Sequence, residues 1–150
     1  MPVLSEANVQ SYLDRFAKVK PDAKPLWGKF TSGQMLGHVN TTLLYTLGET
    51  PLLAFRGNFK TQYIYAPLAL NGIVKFPKNV RLPRSKNQPP PKFPEGDFET
   101  LKATIDRVIA EAKAGEFSPP HHPYFGNIGP RNWLKFHAAH FDHHLRQFGV

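Results

Sequence analysis

Apolar positions recur at helical intervals in four stretches of the chain, and nowhere do they alternate strongly enough to suggest a sheet. Val9, Tyr12, Leu13 and Phe16 mark the first stretch, with Ser5 as its N-cap. Pro21 and Pro25 stop it in the polar run Lys18 to Lys24. Thr31 with Gln34 three residues later has the form of a capping box. It opens a second helix whose stripe is Met35, Val39, Thr42 and Leu43, with Leu36 and Leu47 beside it and Gly48 and Pro51 marking its end. Asp97 caps a third, in which Phe98, Leu101, Ile105, Val108 and Ala112 step by 3, 4, 3 and 4 before Gly115 at the C′ position. Pro130 at N1 starts the last helix, which runs almost to Val150.

Two stretches do not fit this period. Phe55 to Phe76 is apolar and aromatic, and reads either as a helix interrupted near Pro67 or as a packed crossover. Pro77 to Pro94 holds six prolines, including Pro89-Pro90-Pro91, and reads as an extended loop with polyproline II character. There is no internal repeat. The expected fold is all-α: a four-helix bundle with a long proline-rich, basic crossover between the second and third main helices.

Composition narrows the class further. A chain of 150 residues suits one domain, 1–150. At 41% hydrophobic and 13% aromatic residues it is too apolar for a disordered basic tail. The absence of cysteine excludes disulfides, thiolate metal sites and a cysteine nucleophile. The longest apolar runs fall short of the roughly 18 residues a membrane span needs. Met1 to Asn8 shows no basic region leading into an apolar run. A cytoplasmic protein with no membrane partner is the expectation.

The formal charge is +8, and its location changes its meaning. Arg56, Lys60, Lys75, Lys78, Arg81, Arg84, Lys86 and Lys92 lie between Thr50 and Pro94 without one acidic residue among them. The rest of the chain balances 11 basic against 11 acidic residues. A nucleic-acid-binding module using the basic 75–92 loop is one reading, but the bases sit among prolines, without a recognition helix or a regular basic–aromatic stripe. Solvated surface is the ordinary reading of such a run. If the loop borders a pocket, its charge suits an anionic small substrate or cosubstrate.

Seven histidines are present, and His137, His140, His143 and His144 fall within eight positions. On a helix, Trp133, His137, His140, His144 and Phe148 share one stripe whose aromatic ends point to the core. Imidazoles on a buried face are costly unless each ring nitrogen has a partner, and a metal ion satisfies several at once. His140 and His144, at i and i+4, stand about 5–6 Å apart at Cβ. That spacing lets two neutral rings reach one ion at about 2.0–2.1 Å. His38, near the start of the second helix, is the candidate third ligand, with water or substrate completing a catalytic type of site. Against this, an isolated histidine pair or a lone histidine is ordinarily a satisfied core or surface residue, and histidines near a helix C-terminus also suit its dipole. His121-His122-Pro123-Tyr124-Phe125-Gly126 reads as a packed turn in preference to a pocket rim, and Trp27-Gly28-Lys29 as a structural plug.

Four patches carry a family likeness: Trp27-Gly28-Lys29, Gln34-Met35-Leu36-Gly37-His38, His122-Pro123-Tyr124-Phe125-Gly126, and His140-Phe141-Asp142-His143-His144-Leu145-Arg146-Gln147-Phe148-Gly149. Together they resemble the DinB/YfiT-like metalloenzyme superfamily, and more narrowly a branch ending in a similar His-His-Leu-Arg-Gln-Phe-Gly signature. The likeness spans most of the chain through helix order and is specific only in those patches. It implies a four-helix bundle holding one divalent metal ion (Zn, Ni or Fe) on His38, His140 and His144, the same three residues that the spacing suggests. His143 would point aside, and His137 would lie one turn away. Better understood relatives are transferases and isomerases that use small thiols, and hydrolase activity is a further expectation.

The leading reading is therefore a metal-dependent transferase or hydrolase acting on a small molecule, with a low-molecular-weight thiol as one cosubstrate. His137 and His143 are the candidate catalytic residues for moving protons, and Tyr45, Tyr63 and Tyr65 are candidates to orient a substrate. The competing reading is a metal-binding bundle without catalysis that serves in a homodimer.

Overall fold

The computed structural model describes residues 2–79 and 94–150, and all regular structure among them is helical. The long helices are α1 (Glu6–Phe16), α2 (Ser32–Thr46), α4 (Phe98–Ala114) and α5 (Gly129–Gln147). Between α2 and α4 a π-helical turn (Thr61–Tyr65) runs straight into the short α3 (Ala66–Leu70). None of the helices is long and apolar enough to cross a membrane. The expected polyproline run Pro89 to Pro91, and Arg81, Arg84, Lys86 and Lys92, lie outside the described residues.

Local chemistry sets the helix ends where the pattern places them. The Asn8 side-chain oxygen accepts from the Ser5 N–H at 3.0 Å, closing the start of α1. At α2 the capping box is complete: Thr31 Oγ1 accepts from the Gln34 N–H at 3.0 Å, and Gln34 Oε1 from the Thr31 N–H at 3.1 Å. Asp97 Oδ1 accepts from the Thr100 N–H at 2.8 Å, and Gly115 ends α4 with φ +74°. The helix α5 starts at Gly129, so Pro130 stands one residue later than N1, still within the first turn, where its missing N–H costs nothing. The segment 55–76 takes the helical alternative. Its backbone passes from π to α spacing at Ala66, immediately before Pro67.

The stripes meet in one core. Met35, Val39 and Leu43 of α2 are fully buried, as are Leu101, Ile105 and Val108 of α4 and Phe141 and Leu145 of α5. The helix α2 packs against both α4 and α5, and α1 packs against the same two helices. Phe16 and Tyr12 meet Phe141 edge-on, with ring centroids 5.4 and 5.7 Å away. By contrast, Leu52, Leu53, Phe55, Phe59, Tyr63 and Ile64 face outward, and the π-turn buries none of its residues.

Residues 94–96 lie directly on the backbone of α2. The Gly96 N–H donates to the Gly33 carbonyl at 2.9 Å. A Cβ on Gly37 would stand 1.7 Å from the Pro94 carbonyl oxygen, and one on Gly96 would stand 2.5 Å from the Gly37 nitrogen. This close approach is possible only between glycines. It sits one residue before His38.

Gly37→Ala therefore forces two backbones apart, whereas Gly115→Ala strains only an open left-handed position with no atom within 4 Å. We expect Gly37→Ala to cost about 3 kcal/mol and Gly115→Ala about 1 kcal/mol in urea unfolding. Equal costs would contradict the glycine contact.

Candidate metal centre

The stripe of α5 is buried along its whole length: Trp133, His137, His140, His144 and Phe148 all lie inside. Opposite it, the first turns of α2 bring His38 to the same point. His38 Nε2 and His140 Nε2 are 3.0 Å apart, and His140 Nε2 and His144 Nε2 are 3.1 Å apart. The ligand atoms of all three residues lie within 4.8 Å of one another. The three rings meet nearly at right angles, with interplanar angles of 81°, 73° and 78°.

This donor set fits a cation. Two nitrogens bound at about 2.0–2.1 Å to one tetrahedral ion stand about 3.3–3.4 Å apart, a few tenths of an ångström beyond the spacing seen. A proton shared by two of the three Nε2 atoms leaves the third lone pair facing a ring nitrogen, whereas one metal ion accepts all three. Burial leaves the rings in the neutral form that ligation requires. It holds His38 down to about 4, helped by the nearby His143, and His144 down to about 3, helped by His38. Burial likewise pushes His140 well below its ordinary value, with His144 and His38 adding to the effect. The His140 Nδ1 atom is buried without a hydrogen-bond partner. Aromatic rings close the surroundings. Phe136 stacks on His140 at 5.3 Å, while Phe30 lies 5.4 Å from His38 and 6.0 Å from His144.

The other histidines take different places. His143 is half-buried beside His144, with its ring 5.8 Å from Trp27 and 6.2 Å from Phe76. Burial lowers its pKa, and the charges of Arg146 and Lys78 lower it further against the pull of Asp142. His137 is sealed in the core against Trp133, with Nε2 3.2 Å from Thr46 Oγ1 and Nδ1 unpartnered. The Thr46 hydroxyl also lies 2.7 Å from the Leu43 carbonyl and donates to it. Thr46 therefore accepts from His137, whose proton is on Nε2.

The turn around His122 is packed, as its sequence suggests. His122 stacks on Phe125 at 4.3 Å, and its Nδ1 accepts from the N–H groups of Tyr124 and Phe125 at 3.1 and 3.0 Å. The tyrosines are also placed. Buried Tyr45 donates to the His121 carbonyl at 2.8 Å, Tyr65 to the Lys75 carbonyl at 3.4 Å, and Tyr63 packs outward against Phe59.

One contributor escapes the sequence reading. Gln147 Oε1 lies 2.8 Å from His144 Nδ1, and the only hint of it is the i, i+3 position. The ends of the basic crossover also border the site: Phe76 packs on Phe136 at 5.4 Å, and Lys78 Nζ lies 4.2 Å from the Trp27 ring.

Comparison with known proteins identifies the family. The model of the family described as protein of unknown function (DUF1569) matches residues 20–149, and the chain belongs to that family. No curated protein and no solved structure matches it.

His122 and His137 lie outside the ligand set and make stability depend on pH. Burial holds both to about 3, with His121 adding to the effect at His122 and His122 at His137. In the unfolded chain they titrate near 6.5. Between those values only the unfolded state binds their protons, so their contribution is intact above pH 6.5 and is lost as pH falls. In chelator, we expect the unfolding free energy to drop by about 3 kcal/mol or more between pH 7.5 and 5.5. A flat profile in urea titrations would contradict two buried neutral rings.

Proposed function

We propose that this DUF1569 protein is a divalent-metal-dependent enzyme acting on a small molecule, either a transferase that uses a low-molecular-weight thiol or a hydrolase. The observation that carries the reading is the convergence of the Nε2 atoms of His38, His140 and His144 at 3.0 and 3.1 Å. Three histidine ligands from two helices, in place of four closing the sphere, are the donor set of catalytic sites. The resemblance to DinB/YfiT-like metalloenzymes supports the thiol chemistry, and the packing of α1, α2, α4 and α5 supports the four-helix bundle.

A bound divalent ion would supply Lewis acidity and lower the pKa of a coordinated water or thiol toward neutrality. The protein residues supply the rest. Phe30 and Phe136 keep water from the ligand rings, which keeps those rings neutral. His143, half-buried beside His144 and held neutral first by burial and then by the charges of Arg146 and Lys78, is placed to accept a proton at the edge of the site. Fully buried His137 acts as a positioning residue, locked by Thr46 one turn before His140. Imidazole donors suit Zn, Ni and Fe alike, so the bound metal is a matter for measurement.

Elemental analysis of untagged protein tests the centre. We expect about one equivalent of a single divalent metal in the wild type and less than about a tenth in His38→Ala/His140→Ala. Equal metal contents in the two proteins would end the proposal. A panel of thiol-transfer and ester substrates then tests catalysis: His143→Gln should lower turnover about 10²-fold or more with metal content unchanged. A metal-loaded protein inert across the panel would favour the non-catalytic reading.

A further inference from the structure

We propose that Gln147 is a positioning residue that fixes which nitrogen of His144 is bare and clasps segment 26–30 over the ligand histidines. The proposal rests on the metal-centre reading and deepens it. Gln147 is the last residue of α5, and its side chain is buried. Its Nε2 lies 2.8 Å from the Trp27 carbonyl oxygen. A carbonyl only accepts, so the amide nitrogen has to face it. That leaves Oε1 on the other side, 2.8 Å from His144 Nδ1. An amide oxygen also only accepts, so Nδ1 carries the ring proton and Nε2 is left with its lone pair. That bare Nε2 is the atom 3.1 Å from His140 Nε2.

The same residue holds the segment by its main chain. The Leu26 N–H donates to the Gln147 carbonyl at 2.7 Å, so residues 26 and 27 are bonded to both the backbone and the side chain of Gln147. Trp27 and Phe30, on that segment, are the residues that reach His143, His38 and His144. Gly28 makes the turn with φ +81°, and a Cβ there would lie 2.7 Å from the Gln147 amide nitrogen. The strap thus needs both the glutamine and the glycine. A glutamine that merely capped a loop carbonyl would predict the same fold and no effect on His144.

Two measurements separate these. Long-range ¹H–¹⁵N spectra of the metal-free protein read the His144 tautomer without any metal. We expect Nδ1–H in the wild type, a mixture in Gln147→Leu, and Nδ1–H restored in Gln147→Glu, whose carboxylate still accepts. Competition of Zn²⁺ against a chromophoric chelator should show about 10–100-fold weaker binding for Gln147→Leu, and an intermediate loss for Gln147→Glu, whose carboxylate accepts from His144 but cannot donate to the Trp27 carbonyl. Should Gln147→Leu fail to fold, Gly28→Ala displaces the same amide while keeping it, and should weaken Zn²⁺ binding about tenfold. Wild-type tautomer and affinity in Gln147→Leu, or in Gly28→Ala where that variant stands in for it, would overturn the proposal, as would Nε2–H on His144 in the wild type. A wild type with Nδ1–H and no Zn²⁺ binding would instead overturn the metal centre.

Discussion

Three imidazoles pressed together by their Nε2 atoms, inside a wall of aromatic rings, form the arrangement on which the rest of this structure turns. A buried ring nitrogen without a partner costs as much as a lost hydrogen bond, and a buried charged ring costs far more. The α5 stripe carries three fully or nearly buried histidines, so the interior has to be arranged around their nitrogens as well as around apolar volume. Thr46 serves one nitrogen of His137, Gln147 serves one nitrogen of His144, and the Nε2 atoms of His38, His140 and His144 gather at a single point, while Nδ1 of His137 and of His140 stays without a hydrogen bond. A core of leucines would be more stable and would hold nothing.

That gathering needs α2 in a definite place, and backbone contacts supply it. Gly33 and Gly37 let Pro94 and Gly96 lie on α2 at van der Waals distance or closer than any side chain would allow. On the far side, residues 26–30 run from Gln147 to the N-cap of α2. His38 is thus set between two segments that are each fixed on a long helix. Its ring orientation follows from the position of α2 as a whole, which is why the glycine contacts belong to the site as much as to the fold.

The legibility of the sequence follows the range of each interaction. Caps and stripes are local, so Thr31 with Gln34, Asp97, Gly115 and the buried steps Leu101–Ile105–Val108 could be read directly. His140 and His144 were legible for the same reason, since i and i+4 on one helix have to be neighbours. His38 came from the need for a third ligand together with a helical bundle, an inference about tertiary packing. The contacts of Gln147 were out of reach, because its meaning lies in a carbonyl 120 residues away. The same holds for Gly37 and Gly96, glycines without positive φ whose reason is each other. The ending His143 to Gly149 decodes only in three dimensions. His144 joins the trio, Leu145 is core, Arg146 pairs with Asp142 at 2.7 Å, Gln147 bonds to Trp27, and Gly149 turns with φ +75°.

The basic surplus acquires a local meaning from the same geometry. Lys78 sits on Trp27, and Pro94 lies on α2 beside His38. Two parts of the acid-free segment, Phe76 to Lys78 and Pro94, therefore border the histidine cluster. A cation on Trp27 acts inward through the low-dielectric aromatic wall, and its effect on His143 has the same sign as burial: both disfavour the charged ring. Arg146 reinforces that sign although it is paired with Asp142. Positive charge at this end of the molecule thus works with desolvation to keep His143 neutral. Neutral imidazole is the one protonation state in which a histidine both binds a metal ion and accepts a proton.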